Sequence, residues 1–208
     1  YVAEKHGLQA NFMAKPFSEL SGSGLHIHFS LNNSRGENVF ASPVNALSSM
    51  MRLCIAGQLA LMPASVAILA PGVNAFRRLR KNLTEPVFNS WGYNTRSAAL
   101  RIPCSDESNR RIEYRLAGAD ANPYLVAATI LTGMLYGLEH IDEGDLPEPQ
   151  HDQPELPLFQ QEAIEAFARC QYLTDSLGDA FSEQWVACKL SELDWFERIV
   201  TQEESHLA

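Results

Sequence analysis

Between Gly24 and Leu31 apolar and polar side chains alternate without a break, and this run constrains the fold more than any other stretch of the chain. A strand turns successive side chains to opposite faces. Leu25, Ile27, Phe29 and Leu31 therefore share one face, and His26, His28 and Ser30 share the other. An apolar face of that length needs a core beneath it, so the strand belongs to a sheet covered on one side. The polar face is free to line a cavity. Two histidines side by side on a strand suit a metal or phosphate site; the plainer reading is a half-exposed strand with incidental histidines.

Residues 8–17 (LQANFMAKPF) predict a strand before this one, joined to it by the Ser- and Gly-rich turn 18–23. Residues 38–41 predict a third, short strand. From 43 to about 61 the apolar residues fall at helical spacing, with Pro43 in the first turn, and 64–69 predicts a second short helix ending at Pro71 and Gly72. Residues 87–102 read as two strands separated by a turn near 92–95, and 109–117 as another. Asp120 or Asn122 then caps a helix with Pro123 in its first turn, running to about His140. A proline- and acid-rich connector at 142–157 leads to helical patterns at 157–176 and 179–202. The class is α+β, an antiparallel sheet covered by helices, with a strand-rich half at 1–118 and a helical half at 119–208.

The 208 residues suffice for one substantial core, and 46% hydrophobic against 20% charged residues is the balance of a globular chain. A net charge of −9 argues against a nucleic-acid partner, whose phosphates need a positive surface. The four cysteines form no CxxC pair and are expected as free thiols in a reducing cytoplasm. No signal-peptide pattern opens the chain, and the apolar run 123–138 is below a membrane span, so no membrane partner is expected. A start at Tyr1 rather than methionine suggests a piece of a longer protein.

The charge is unevenly placed. Residues 76–115 hold nine of the 16 basic residues, eight of them arginine, against four acids. The rest of the chain is near neutral before this segment and strongly acidic after it. Arginine's planar fork suits phosphate and carboxylate, so the segment reads as an anion site rather than a solvated face. On a strand through 110–115, Arg111, Glu113 and Arg115 share a face. A carboxylate between two arginines stays ionised and can ligate a divalent cation while the arginines hold anionic oxygens. Its plain alternative is a surface ion-pair ladder. No GxxxxGK[ST] loop, GxSxG elbow or GxGxxG turn occurs.

Five ordered segments carry a resemblance: FMAKPF (12–17), GSGLHIHFSL (22–31), NAFRRL (74–79), NTRSAALRIP (94–103) and RRIEYRLAGADANPYL (110–125). They resemble the C-terminal part of the glutamine synthetase catalytic domain, and within that family most resemble the γ-glutamylpolyamine synthetase branch. The resemblance implies an ATP-dependent ligase that joins glutamate to an amine through γ-glutamyl phosphate, with Mg2+ or Mn2+. It implies His26 and Glu113 as metal ligands, and His28, Ser30 and Arg101 as ATP contacts. Gly22, Arg78 and Arg115 would hold glutamate, and Arg96, Arg111 and Glu85 would act in catalysis. It further implies that the chain is the C-terminal part of that domain, about half of each active site. The remaining metal-binding glutamates and an N-terminal domain that completes a neighbour's site in a double-ring homo-oligomer lie in the rest of the parent. The piece alone is expected to be inactive and to expose apolar surface where the parent would pack.

Four departures from the family pattern matter. Ser21 stands where an asparagine is usual, and Ser108 where a basic residue is usual. The catalytic-loop glutamate falls in register on Thr84, with Glu85 one place late. The connector 141–160 has no tyrosine, which argues against control by adenylylation. The shifted glutamate favours a polyamine or other primary amine over ammonia as nucleophile. Glutamine synthetase itself is the alternative, and a non-catalytic scaffold of the same fold is the alternative from another class.

Overall fold

The computed structural model describes residues 1–43, 46–81, 85–149 and 154–207. After a short helix α1 (Val2–Lys5), the chain runs irregularly to β1 (Ile27–Phe29). Helices α2 (Ser49–Leu69) and α3 (Val73–Arg78) follow, then β2 (Trp91–Tyr93), β3 (Leu100–Ile102) and β4 (Ile112–Tyr114). The second half is helical: α4 (Pro123–His140), a 3-10 turn at Glu143–Asp145, α5 (Gln160–Arg169), α6 (Gln171–Leu177), α7 (Asp179–Glu197) and α8 (Gln202–Leu207).

The strands lie in the order β1-β4-β3-β2. β4 pairs antiparallel with both neighbours, but β2 and β3 are parallel. The sheet is therefore mixed, a departure from the antiparallel one expected. Parallel strands usually need a long crossover. Here each strand has three residues, so the short loop from Asn94 to Ala99 is enough to carry the chain back to the starting end. Asn94 begins that loop with φ of 48°, a left-handed conformation that asparagine tolerates.

The alternation in β1 places the side chains as expected: Ile27 and Phe29 are half-buried and His28 is exposed. Leu100, Ile102, Ile112 and Tyr114 are fully buried on the core side of their strands. With α2 and α4 they form one hydrophobic core. The two helices cross closely at glycines. A Cβ on Gly57 would strike the carbonyl of Gly133 and the backbone of Gly137, and a Cβ on Gly137 would strike the carbonyl of Leu53. Gln58 donates from Nε2 to the carbonyl of Ile130 at 2.5 Å in the same seam.

The two helices expected at 43–61 and 64–69 are one. Helix α2 begins later than Pro43, where the side chain of Ser48 accepts from the amide of Met51, and it continues through Pro63. Proline takes away the amide that would bond the carbonyl of residue 59. Asn89 replaces it, donating from Nδ2 to the Leu59 carbonyl at 2.9 Å. The merged helix is long and apolar enough to cross a membrane, yet 78% of its most apolar window is buried inside this fold. Helix α4 has the expected ends, with Asn122 accepting from the amides of Tyr124 and Leu125 and Pro123 in the first turn.

Residues 8–17 form no strand, against expectation. No strand pairs with them, and the carbonyl of Ala14 and the amide of Lys15 bond instead to Ser23 and to the side chain of Asn74. Residues 38–41 make only an isolated bridge, Asn32 to Asn38. Large apolar side chains are exposed, among them Phe12, Met13, Phe17 and Leu20 before the sheet and Tyr124, Leu131 and Leu135 along α4. The four cysteines are free thiols.

Candidate active site

The sheet register builds the site. Glu113 on β4 lies directly opposite His28 on β1 and opposite Arg101 on β3. The next position across is Gly92 on β2, which carries no side chain. One polar row thus crosses the sheet with a carboxylate at its centre, while Tyr114 and Leu100 in the next row point into the core.

Glu113 is 3% exposed and both its oxygens are engaged. Oε1 accepts from Nη1 of Arg115 at 2.5 Å, and Oε2 accepts from Nη1 of Arg101 at 2.7 Å. Burial pushes the carboxyl pKa up, but hydrogen bonds and charge from Arg101 and Arg115 outweigh it, and the group titrates below the usual carboxylate range. Glu113 is therefore an anion at neutral pH.

His26 stands beside it, with Nδ1 3.2 Å from Oε1 of Glu113 and 3.5 Å from Nη1 of Arg115. Burial first, then the charge of Arg115, lowers the imidazole pKa against the opposing pull of Glu113. The neutral ring keeps a lone pair for a cation or a proton. His28 accepts at Nδ1 from Nε of Arg111 at 3.2 Å, with its Nε2 4.0 Å from Glu113. Arg101 is fixed at its other end by Oδ1 of Asn94, at 2.6 Å from Nη2. Asn94 thus positions Arg101, and nothing in the motif NTRSAALRIP assigned it that role; an asparagine at the turn directly after a strand, in the left-handed conformation, is the signal that marks it.

A second arginine supports the glycine loop. Arg78, at the end of α3 and 3% exposed, donates from Nη1 to the carbonyl of Leu116 at 2.8 Å. A Cβ on Gly22 or on Gly24 would lie about 2.9 Å from its side chain, so glycine is what lets the loop approach. Hydrogen bonds from Leu25 to Ala117 and from Ala119 to Ser23 hold the loop against the strand end. Nε of Arg78 is 3.8 Å from Oε1 of Glu85. Burial lowers the pKa of Arg78, and Glu85 and Asp120 oppose that shift. Asp120 itself is raised by burial, which exceeds the opposing pull of its own backbone hydrogen bond and of Arg78.

Of the residues predicted for the site, His26, His28, Arg101, Arg111, Glu113 and Arg115 form one connected cluster. Gly22, Arg78 and Glu85 form a second group, tied to the first because Arg78 also donates from Nη2 to the carbonyl of Arg115, at 3.3 Å. Arg96 is exposed on the loop after β2 and joins neither group through a hydrogen bond or ion pair among the described residues. Ser30 is exposed beyond β1, on the same face as the histidines. Thr84, the other candidate for the catalytic-loop glutamate position, lies outside the described residues.

The donors fit a divalent cation in part. His26 and Glu113 offer an imidazole and a carboxylate at adjacent positions, and among the described residues no group of three or more such donors gathers. A hard cation takes about six ligands, so four or so would come from water, phosphate oxygens or other protein groups.

A sequence model of the glutamine synthetase catalytic domain matches residues 1–207, and the chain belongs to that family. It is 45% identical to the γ-glutamylputrescine synthetase PuuA of Escherichia coli, over 98% of this chain and 44% of that protein. A glutamate–isopropylamine ligase from a Pseudomonas species is 43% identical over 67% of this chain and 31% of its own length. The glutamine synthetase of Pyrococcus woesei is 35% identical over 99% of this chain and 48% of its own. Among solved structures, a complex of GmaS with ADP superposes with a TM-score of 0.88 at 30% identity, covering 100% of this chain and 50% of that one. The chain spans about half the length of the curated relatives it matches.

Proposed function

We propose that the full-length protein carrying this chain is an ATP-dependent ligase that forms a γ-glutamyl amide from glutamate and a primary amine, with a polyamine such as putrescine as the preferred nucleophile. The observation that carries the reading is the buried Glu113 clamped by Arg101 and Arg115 with His26 beside it. It joins a carboxylate, a neutral imidazole and guanidinium donors, the groups phosphoryl transfer needs.

In the first step a γ-carboxylate oxygen of glutamate attacks the γ-phosphorus of ATP and ADP leaves. In the second the amine nitrogen attacks the γ-carbonyl carbon, phosphate departs and the nitrogen loses a proton. Arg78 and Arg115 would hold the glutamate carboxylates, with Gly22 leaving room for the substrate. Arg111 and Arg96 would face the transferred phosphoryl group and stabilise its charge. Arg101, His28 and Ser30 would contact the nucleotide; the likeness to GmaS, solved with ADP, supports a nucleotide on this fold. His26 and Glu113 would hold a Mg2+ or Mn2+ ion, which supplies charge neutralisation between nucleotide and substrate when bound. The parent's other half supplies the remaining ligands, in a double-ring homo-oligomer in the cytoplasm.

The polyamine preference rests on the similarity to PuuA and to the isopropylamine ligase, both named for primary amines. A second reading, ammonia as nucleophile, is favoured by the similarity to glutamine synthetases such as that of Pyrococcus woesei.

The test is phosphate release by the full-length protein with ATP, magnesium and glutamate, comparing putrescine, isopropylamine and ammonium. A higher kcat/KM with putrescine is expected. Activity with ammonium alone would make it a glutamine synthetase, and no release with any amine would make it a scaffold.

A further inference from the structure

Arg111 stands immediately before β4, and two contacts set its direction. Nε donates to Nδ1 of His28 at 3.2 Å, and Nη1 donates to the carbonyl of Asn109 at 3.0 Å. A long, flexible side chain keeps one direction only where its contacts are themselves fixed. His28 is fixed by the pairing of β1 with β4. Asn109 lies in the irregular stretch between β3 and β4, so its place depends on side chains around it.

Two side chains hold it. Asp106 caps the turn from within. Its Oδ1 accepts from the amide of Asn109 at 2.9 Å and from Oγ of Ser108 at 2.8 Å, and its Oδ2 accepts from Nδ2 of Asn109 at 3.0 Å. Asn38 holds the turn from outside, from a loop 70 residues away in the chain. Its Nδ2 donates to the carbonyl of Ser108 at 3.1 Å and to that of Arg110 at 2.8 Å. An amide nitrogen carries two protons, and here both go to this turn. The carbonyls of 108, 109 and 110 are thus divided: the outer two accept from Asn38 and the middle one from Arg111.

Asn38 is itself anchored. Its Oδ1 accepts from the amide of Phe40 at 2.9 Å. Phe40 is fully buried and packs edge-on against Phe29 of β1, with ring centres 6.4 Å apart. Phe29 follows His28, so both contacts of Arg111 rest on one support. Arg110, 3% exposed, adds a further tie by donating from Nη2 to the carbonyl of Ser42 at 3.1 Å.

We infer that Asn38 is a positioning residue for Arg111: with Asp106 it fixes the Asn109 carbonyl, and so the place where the guanidinium meets the transferred phosphoryl group. The inference rests on the ligase reading given above. A donor stabilises a transition state only from the right position, and a displacement of about 1 Å can cost about a hundredfold in rate. Arg78 and Arg115, assigned to glutamate, are tied instead to the carbonyl of Leu116 and to Glu113. Loss of Asn38 therefore falls on kcat and leaves glutamate binding in place.

Steady-state phosphate release by the full-length protein, with ATP, magnesium and putrescine fixed and glutamate varied, tests this beside thermal melts. Asn38→Ala is expected to lower kcat at least about tenfold while KM for glutamate stays within about twofold. Asp106→Ala, at an exposed position, should lower kcat in the same way. In an Arg111→Ala background Asn38→Ala should add little to the loss of kcat, yet lower Tm as much as it does in wild type. A tie that served stability alone would lower Tm and leave kcat per folded site unchanged. That result, or kcat losses that multiply in the double variant, would overturn the role of Asn38 and leave the ligase reading standing. Should Asn38→Ala fail to fold, the same cycle between Asp106→Ala and Arg111→Ala decides whether the turn acts through Arg111. No phosphate release by the wild-type protein with any amine would overturn the ligase reading and this role with it.

Discussion

Gly22 packs against Arg78 so closely that a Cβ on it would lie 2.9 Å from the arginine's Cγ and 2.7 Å from the carbonyl of Ala14. The carbonyl is backbone and cannot swing aside, so in Gly22→Ala the loop or the arginine moves. Overpacking of this kind costs about 1–3 kcal/mol. The larger effect is expected on substrate. If Arg78 holds a glutamate carboxylate, KM for glutamate rises about tenfold or more while affinity for ADP stays near wild type. Steady-state kinetics beside an ADP titration measures both, and a variant with unchanged KM would remove Arg78 from the substrate site.

Glu113→Gln tests the central clamp. The neutral amide leaves Arg101 and Arg115 without their anion, and breaking a buried pair from one side costs on the order of 3 kcal/mol. The folded carboxyl titrates below its unfolded value, so the stability it contributes is fully present above the unfolded pKa, about 4.3. That contribution is lost as pH falls through the lower folded value. The gap in urea midpoint between wild type and variant should therefore be constant from pH 5 to 7 and close progressively below pH 4. A gap that persists unchanged in acid would show that the charge on Glu113 does not hold the clamp.

Asp120 has the opposite sign. Burial raises its pKa, and its Oδ1 has no hydrogen-bond partner among the described residues. A raised carboxyl favours folding below its unfolded value of 3.8, and that advantage disappears as pH rises through the folded value. At pH 7 the ion is a liability, so Asp120→Asn should raise Tm there. The two proteins should converge below about pH 3.8. Thermal melts across that range decide it; a variant less stable at pH 7 would mean that the attraction of Arg78 and Lys189 for the anion exceeds its burial cost.

Much of the site was legible because it depends on local patterns. Alternation from Gly24 to Leu31 put His26 and His28 on one face, and the spacing of Arg111, Glu113 and Arg115 did the same on β4. Asn122 and Pro123 marked the start of α4 because capping is a local interaction. What was not legible depends on distant partners. Residues 8–17 have strand composition, but a strand needs a neighbour, and their backbone bonds to Ser23 and Asn74 instead. The parallel pairing of β2 and β3 follows from how the loop at Asn94 turns, which alternation does not encode. That Arg101 and Arg115 grip the two oxygens of one carboxylate emerged only from the register of three strands.

Pro63 is the sharpest case of a distant partner. Read locally, a proline amid helical spacing ends one helix and starts another. Here α2 runs straight through, because the carbonyl left without its amide, that of Leu59, receives Nδ2 of Asn89, 30 residues away, at 2.9 Å. Asn89→Ala should leave that carbonyl unsatisfied beside the core and cost about 1–3 kcal/mol. Restoring the local donor tests the explanation directly. In Pro63→Ala the helix regains its own bond, so Asn89→Ala should cost less in that background than in wild type, and urea midpoints for the four proteins give the coupling. An additive pair would mean that Asn89 supports the strand that follows it rather than the helix.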